Sequence, residues 1–266
     1  MADHEASDGD APASVPDSIR TAWGQQVRPA RGPKPGLTLE RIVRAAITVA
    51  DAEGIDAVSM SRVAAELGSS AMSLYRYVGS KSELLALMVD TAMGTLPSPA
   101  PGEGWREGLA GWTRAALQAY LRAPWSVRIP ISGPPVTPNQ VRALEAGLAC
   151  LRDTGLTHSE KLSTIQLLAG LTRYQATIAA DFADAYRASG GQDLTAGYGR
   201  TLARLIDPAT FPEVHAAVAS GSLDDEDDPD YHLTELNFGL GRVLDGLEVL
   251  ITARQASAEP SGPPAG

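Results

Sequence analysis

The chain has 266 residues, 44% of them hydrophobic, which is enough for one large domain or two modest ones with a real core. Its formal net charge of −10 argues against a chain that coats nucleic acid along its whole surface. The single cysteine, Cys150, excludes an intrachain disulfide and a Cys-cluster metal site and points to a reducing cytosol, with Cys150 itself reading as a small buried hydrophobe.

Charge distribution matters more than its sum. Arg28, Arg31, Lys34, Arg41, Arg44, Arg62, Arg76 and Lys81 nearly balance the acids of residues 28–95, while most of the acid lies further on, including Asp224–Asp230. That arrangement fits a body that meets DNA at one end. The start lacks a basic-then-apolar leader pattern, and the most apolar stretch, 162–180, is broken by Gln166, Arg173 and Gln175, so a soluble, cytoplasmic chain without membrane contact is expected.

Residues 1–36 are rich in Ala, Pro, Asp and Gly and read as a disordered arm that turns basic at Arg31 and Lys34. Thr38 is a good N-cap for a first helix carrying Ile42, Ala45, Ala46, Val49 and Ala50 at helical spacing, with a stop at Gly54. A second helix follows Ser59 through Val63, Ala64 and Leu67. A third, short one starts near Ser70 and carries Leu74 and Val78. Ser80 with Glu83 reads as a capping box for a fourth, whose apolar side is Leu84, Leu85, Leu87, Met88 and Ala92. A Pro-rich stretch over 97–101 marks a boundary, giving a head over 37–95, a helical body over 101–255 and a tail over 256–266. In the body, helices are expected near 104–123, 138–154, 159–188 and 231–254, with a further helical stretch over 195–220. The apolar surface of the last helix is too wide for a single partner face. The fold class is all-α.

The segment Val63–Leu74 has the proportions of a DNA-reading helix-turn-helix. Ala64 is small where two helices cross, Gly68 permits the turn, and Ser69 and Ser70 can cap the next helix. The exposed face of the third helix then offers Ala71, Met72, Ser73, Tyr75 and Tyr77. Ser73 suits a base edge or a phosphate, Ala71 and Met72 suit a thymine methyl, and Tyr75 and Lys81 suit flanking phosphates. The basic arm suits an adjacent minor groove. A bland reading stands beside this one, in which Tyr75 is a half-buried core residue and Ser59, Ser61 and Ser73 are merely solvated.

The stretch Ile42–Leu85 carries Ala45-Ala46, Gly54, Val58-Ser59, Val63-Ala64, Leu67-Gly68, Ser73-Leu74-Tyr75-Arg76-Tyr77-Val78 and Lys81-Ser82-Glu83-Leu84. It resembles the N-terminal domain of the tetracycline-repressor (TetR) family. Leu121-Arg-Ala-Pro-Trp125, the run Leu144–Leu151 and the run Phe238–Leu247 resemble the C-terminal domain of the same family. The resemblance implies that Ser59 and Ser61 approach the DNA backbone, Ala71, Met72 and Ser73 face bases, Tyr75 and Lys81 clamp phosphates, and Tyr77 sits at the groove edge. The third helix departs from an ordinary reading helix in having no Arg, Asn or Gln at its base-facing positions, which shifts weight to apolar contacts, to the arm, or to Arg62 and Arg76 swung inward.

The family also implies a ligand-responsive repressor acting as a homodimer on palindromic double-stranded operator DNA, held by a four-helix bundle from 159–188 and 231–254 of each chain. Two reading helices must then reach grooves about 34–36 Å apart, and a small-molecule effector with different affinity for two states can alter that spacing. Candidate effector contacts are Trp112, Trp125, Gln166, Arg173 and Tyr174, though each could equally be core or interface. No cofactor or metal is expected: the four histidines are scattered and Asp224–Asp230 lacks EF-hand spacing. G-x-S-x-G, H-E-x-x-H and G-x-x-x-x-G-K patterns are missing, which argues against an enzyme. A helical protein-binding adaptor that kept the fold and lost DNA affinity is the alternative.

Overall fold

A computed structural model describes residues 15–25, 36–191, 197–223 and 231–258. Among them the elements are eleven α-helices and two 3₁₀ turns, with no strand. The chain divides into two units: residues 1–94 with 131–142, and residues 95–130 with 143–266.

In the first unit, helix α1 (Asp17–Ala22) precedes α2 (Leu39–Glu53), α3 (Met60–Glu66), α4 (Ala71–Tyr75) and α5 (Lys81–Met93). Local chemistry sets these limits. Thr38, Ser59, Ser70 and Ser80 each accept the N–H three residues ahead, and Gly54 and Gly94 end α2 and α5 with φ of 85° and 60°. Ile42, Ala46 and Val49 of α2 share a buried face with Val63, Leu74, Val78, Leu84 and Met88. Each fully buried aliphatic side chain of this kind contributes about 1.5–3 kcal/mol.

Two features differ from expectation. The stretch read as a disordered arm over 1–36 contains α1, whose Ser18 and Ile19 are buried; a single turn and a half is too short for periodicity to show. Residues 131–142, assigned by sequence to the body, group with the head. The reason is Asp90 near the end of α5. Its buried Oδ1 accepts the N–H groups of Asn139 (2.8 Å) and Gln140 (3.0 Å), and Asn139 Nδ2 donates back to the Asp90 carbonyl at 3.0 Å.

In the second unit, α6 (Trp105–Arg122), α8 (His158–Ala188) and α11 (Tyr231–Ala258) pack on one another, joined by a 3₁₀ turn over Pro124–Arg128 and by the later part of α7 (Pro138–Cys150). Thr157 and Glu160 form a full capping box at the start of α8. Leu240, Leu244, Leu247 and Ile251 put one stripe of α11 into the core with Leu109, Trp112, Leu151 and Leu168, while Leu236 is buried in a smaller core with Leu117 and Ala176. The stretch expected over 195–220 is divided between two short helices, α9 (Tyr198–Leu205) and α10 (Pro212–Ala219).

Candidate nucleic-acid interface

The turn between α3 and α4 is built from short-range bonds. Ser69 N–H donates to the Ala64 carbonyl at 2.9 Å and Gly68 N–H to the Ala65 carbonyl at 3.1 Å. Gly68 sits at φ 60°, where a side chain is strained. Ser70 then caps α4, accepting the Ser73 N–H at 3.3 Å. Beneath α4, Leu74 and Val78 are fully buried. Above it, Met72 is 75% and Tyr75 48% exposed. Met72 and Tyr75 thus stand exposed on the outer side of a five-residue helix whose inner side is closed.

The other sequence-chosen residues surround this face. Ser59, Ser61, Ser70, Arg76 and Lys81 are exposed, and Ala71, Ser73 and Tyr77 are half-buried. Ser59 Oγ accepts the Arg62 N–H at 3.1 Å, which leaves its own proton to donate outward. Ser73 Oγ lies 2.9 Å from Ser70 Oγ, so one hydroxyl proton is spent between them and the other is free for a base edge or phosphate. Lys81 occupies the first position of α5, where the helix dipole disfavours a cation, so helix stability does not explain its placement. A phosphate is suited to that end of a helix and to that ammonium alike.

Arg62 differs from its expected role. Its guanidinium donates to Glu53 and to Glu66 (3.0 Å), so it is already engaged within the head. Arg62 holds the Glu53 carboxyl below its usual range, and the two carboxylates raise Arg62 further. Arg31 and Lys34 lie outside the described residues, as does Asp224–Asp230.

The five candidate effector residues are divided between the interior and the outer side of the second unit. Trp112 is buried and donates its Nε1–H to the Ala143 carbonyl at 2.8 Å, as a core residue does. Trp125 is buried in the 3₁₀ turn. Arg173 braces that turn, donating to the carbonyls of Val127 (2.9 Å) and Ile129 (2.7 Å). Gln166 and Tyr174 lie on the outer side of α8 with exposed Leu162, Leu167 and Phe182. Gln175, their neighbour in sequence, points inward and is buried. His232 was not legible from sequence as a candidate. Its Nδ1 is buried without a hydrogen-bond partner, burial pushes its imidazole below the usual range, and its ring meets Tyr231 edge-on at 5.5 Å. Arg173 and the turn it braces adjoin a small core of Leu117, Val127, Ala176, Ala180 and Leu236, against which Tyr120 and Leu233 pack.

The second unit leaves large apolar side chains exposed on two of its helices. Leu162, Leu167, Tyr174 and Phe182 of α8 and Phe238, Val249 and Leu250 of α11 are all exposed. No helix among the described residues is long and apolar enough to cross a membrane.

Comparison with known proteins bears on both units. Residues 42–88 match the family described as bacterial regulatory proteins of the tetR family, and residues 98–251 match the tetracyclin repressor-like C-terminal domain. The chain is 39% identical over 245 residues to the HTH-type transcriptional repressor DrrR1 of Streptomyces coeruleorubidus, covering 91% of this chain and 89% of that one. It is also similar to solved structures of ActR, a TetR family protein of Streptomyces coelicolor. The complex with actinorhodin has TM-score 0.68 and 27% identity and covers 83% of this chain and 99% of that one. The complex with (S)-DNPA has TM-score 0.63 and 29% identity, over 81% of this chain and 98% of that one.

Proposed function

The chain belongs to the TetR family of bacterial regulatory proteins, and on that premise we propose how its residues do the work of a dimeric, effector-responsive repressor. Helix α4 enters the major groove with Met72 and Ala71 on thymine methyls and Ser73 on a base edge or phosphate. Ser59, Ser61, Ser70 and Tyr75 hold the backbone beside it, Lys81 anchors a phosphate from the first turn of α5, and Tyr77 stands at the groove edge. Arg31 and Lys34 reach an adjacent minor groove. The supporting observation is the exposure of Met72 and Tyr75 directly over a closed Leu74–Val78 core. The chain acts where the operator lies, in the cytoplasm. An adaptor without DNA affinity is not favoured, because the relatives are named for transcriptional regulation.

Two copies associate through the exposed apolar faces of α8 and α11, forming the four-helix bundle, and so present two α4 helices to one duplex. The effector enters the interior of the second unit. Gln175 and His232 are its inward polar contacts, Trp125 and Arg173 form the turn beside it, and its chemistry is of the kind that ActR accommodates.

Titration of duplex DNA from immediately upstream of the reading frame, at several salt concentrations, tests this reading. Affinity falls steeply with salt, and Lys81→Ala lowers the slope of log K against log salt by roughly 1 for each protomer. Tyr75→Ala weakens binding on every sequence alike, whereas Met72→Ala narrows the gap between operator and random DNA. Actinorhodin added to the complex releases the DNA, and Gln175→Ala or His232→Ala blunts that release. Salt-independent binding, indifferent to Lys81 and Tyr75, would falsify the assignment.

A further inference from the structure

Helix α1 lies outside both stretches matched by the family descriptions, which begin at residue 42. It is nonetheless fastened to the head at three points. Ser18, 2% exposed, donates its hydroxyl to Glu83 Oε2 at 2.5 Å across 65 residues of sequence. Ile19, 4% exposed, is buried where α1 packs on α2 and α5. Trp23 donates its Nε1–H to the Val136 carbonyl at 2.8 Å, across 113 residues.

The carboxylate that receives Ser18 is the one that shapes the start of α5. Glu83 Oε2 also accepts the Gly79 N–H at 3.1 Å, and Oε1 lies 3.4 Å from Ser80 Oγ. Glu83 thus closes over the residue before the N-cap rather than over the N-cap N–H, a variation on the expected capping box. The approach is tight: a Cβ on Gly79 would stand 2.9 Å from Glu83 Oε1. Lys81 sits inside this knot, one residue after the cap and two before Glu83. An exposed lysine on a freely fraying first turn samples many positions, and each phosphate contact then carries an ordering cost. A first turn tied from outside its own helix presents the ammonium with less to lose.

We propose that α1 is a strap that holds the phosphate-contacting end of α5 in place, with Ser18 as a positioning residue acting through Glu83 and Trp23 anchoring the far end to the 131–142 segment. The strap binds no DNA itself. It raises operator affinity by pre-organising Lys81, and so it rests on the DNA-binding reading above.

Full-length protein is compared with Ser18→Ala, with Ser18→Ala/Trp23→Phe, with Lys81→Ala and with the triple variant. Amide hydrogen exchange is followed over residues 79–84 without DNA, and binding to the upstream duplex is followed across salt. Thermal melting confirms that each variant is folded. The expected result is exchange about tenfold or more faster in 79–84 for the double variant, reflecting loss of protection in that turn. Operator affinity falls roughly tenfold with a reduced salt slope, a change that a purely structural role leaves alone. Adding Lys81→Ala to the double variant then costs little more, because the two changes remove one contact. Unchanged exchange in 79–84 overturns the strap whether or not the duplex binds. Faster exchange with strictly additive affinity losses overturns its link to Lys81. Failure of the unaltered protein to bind the duplex at all sinks the DNA-binding reading instead, and the positioning role with it.

Discussion

Arg62 grips Glu53 through two of its guanidinium nitrogens, Nη2 at 2.6 Å and Nε at 3.0 Å from the same Oε1. Arg62 also reaches Glu66 at 3.0 Å, so a residue that sequence alone offers to DNA is spent on joining the end of α2 to α3. Arg62→Ala is therefore expected to leave the salt slope of operator binding unchanged, in contrast to Lys81→Ala. A slope reduced as much as in Lys81→Ala means that the pair opens on DNA.

The capping box of α8 supplies a pH dependence. Arg254, with the Thr157 N–H and hydroxyl, lowers the Glu160 carboxyl from 4.5 to about 2. A carboxyl depressed in the folded state stabilises it above the unfolded pKa, and that share is lost as pH falls through the folded one. The contribution is thus whole at pH 5 and disappears between about 4.5 and 2. Glu160→Gln should flatten the melting temperature against pH in that window relative to the unaltered protein, and parallel curves refute the assignment.

Asp90 does for α7 what its own N-cap does not. Thr137 stands just before Pro138, yet its buried Oγ1 has no partner, while Asp90 Oδ1 takes the Asn139 and Gln140 N–H groups. Leaving buried N–H groups unmet costs about 1–3 kcal/mol. In Asp90→Ala, Thr137 is free to turn and accept one of them, so the loss should lie near the lower end, about 1 kcal/mol. The double change with Thr137→Ala should exceed the sum of the singles by about 0.5 kcal/mol or more, read by denaturant unfolding.

Gly147 lies where α7 faces Ile165 and Trp112. An added Cβ would stand 2.7 Å from Ile165 Cδ1 and 3.3 Å from the Trp112 ring. Alanine gains about 1 kcal/mol over glycine within a helix, but overpacking a closed core costs about 1–3 kcal/mol. Ile165 and Trp112 are both buried, so neither can swing clear. Gly147→Ala is expected to lower the melting temperature, and a rise would show that the core has slack.

The exposed face of α8 offers a different kind of test. Leu167 is 56% exposed in the single chain. Leu167→Asp should barely change the stability of the isolated subunit yet shift the protein towards monomer in sedimentation. Operator affinity should fall with it, since one α4 alone reads half a site. A dimer that survives this change must associate elsewhere.

Much of the head is legible without coordinates. Thr38, Ser59, Ser70 and Ser80 each cap the helix that begins one residue later, and Gly54 and Gly94 end two of them. The body is harder to read. Gln166, Tyr174 and Gln175 look alike in sequence, yet the first two face out and the third faces in. A long helix with apolar residues on several sides does not announce which stripe its own chain covers and which its partner does. Trp112 illustrates the same limit: its ring suits a ligand wall, and its bond to Ala143 makes it core.

The amino-acid order alone determined where helices start and stop and which short helix stands over Leu74 and Val78, because caps, turns and apolar periodicity act over three or four residues. Only the tertiary structure decided that Ser18 ties itself to Glu83, that Asp90 caps a helix from another part of the chain, and that Arg62 is already taken. Those choices join groups brought near by packing, and a polar side chain finds its partner among whatever the folded chain places within about 3 Å, a set that no local pattern encodes.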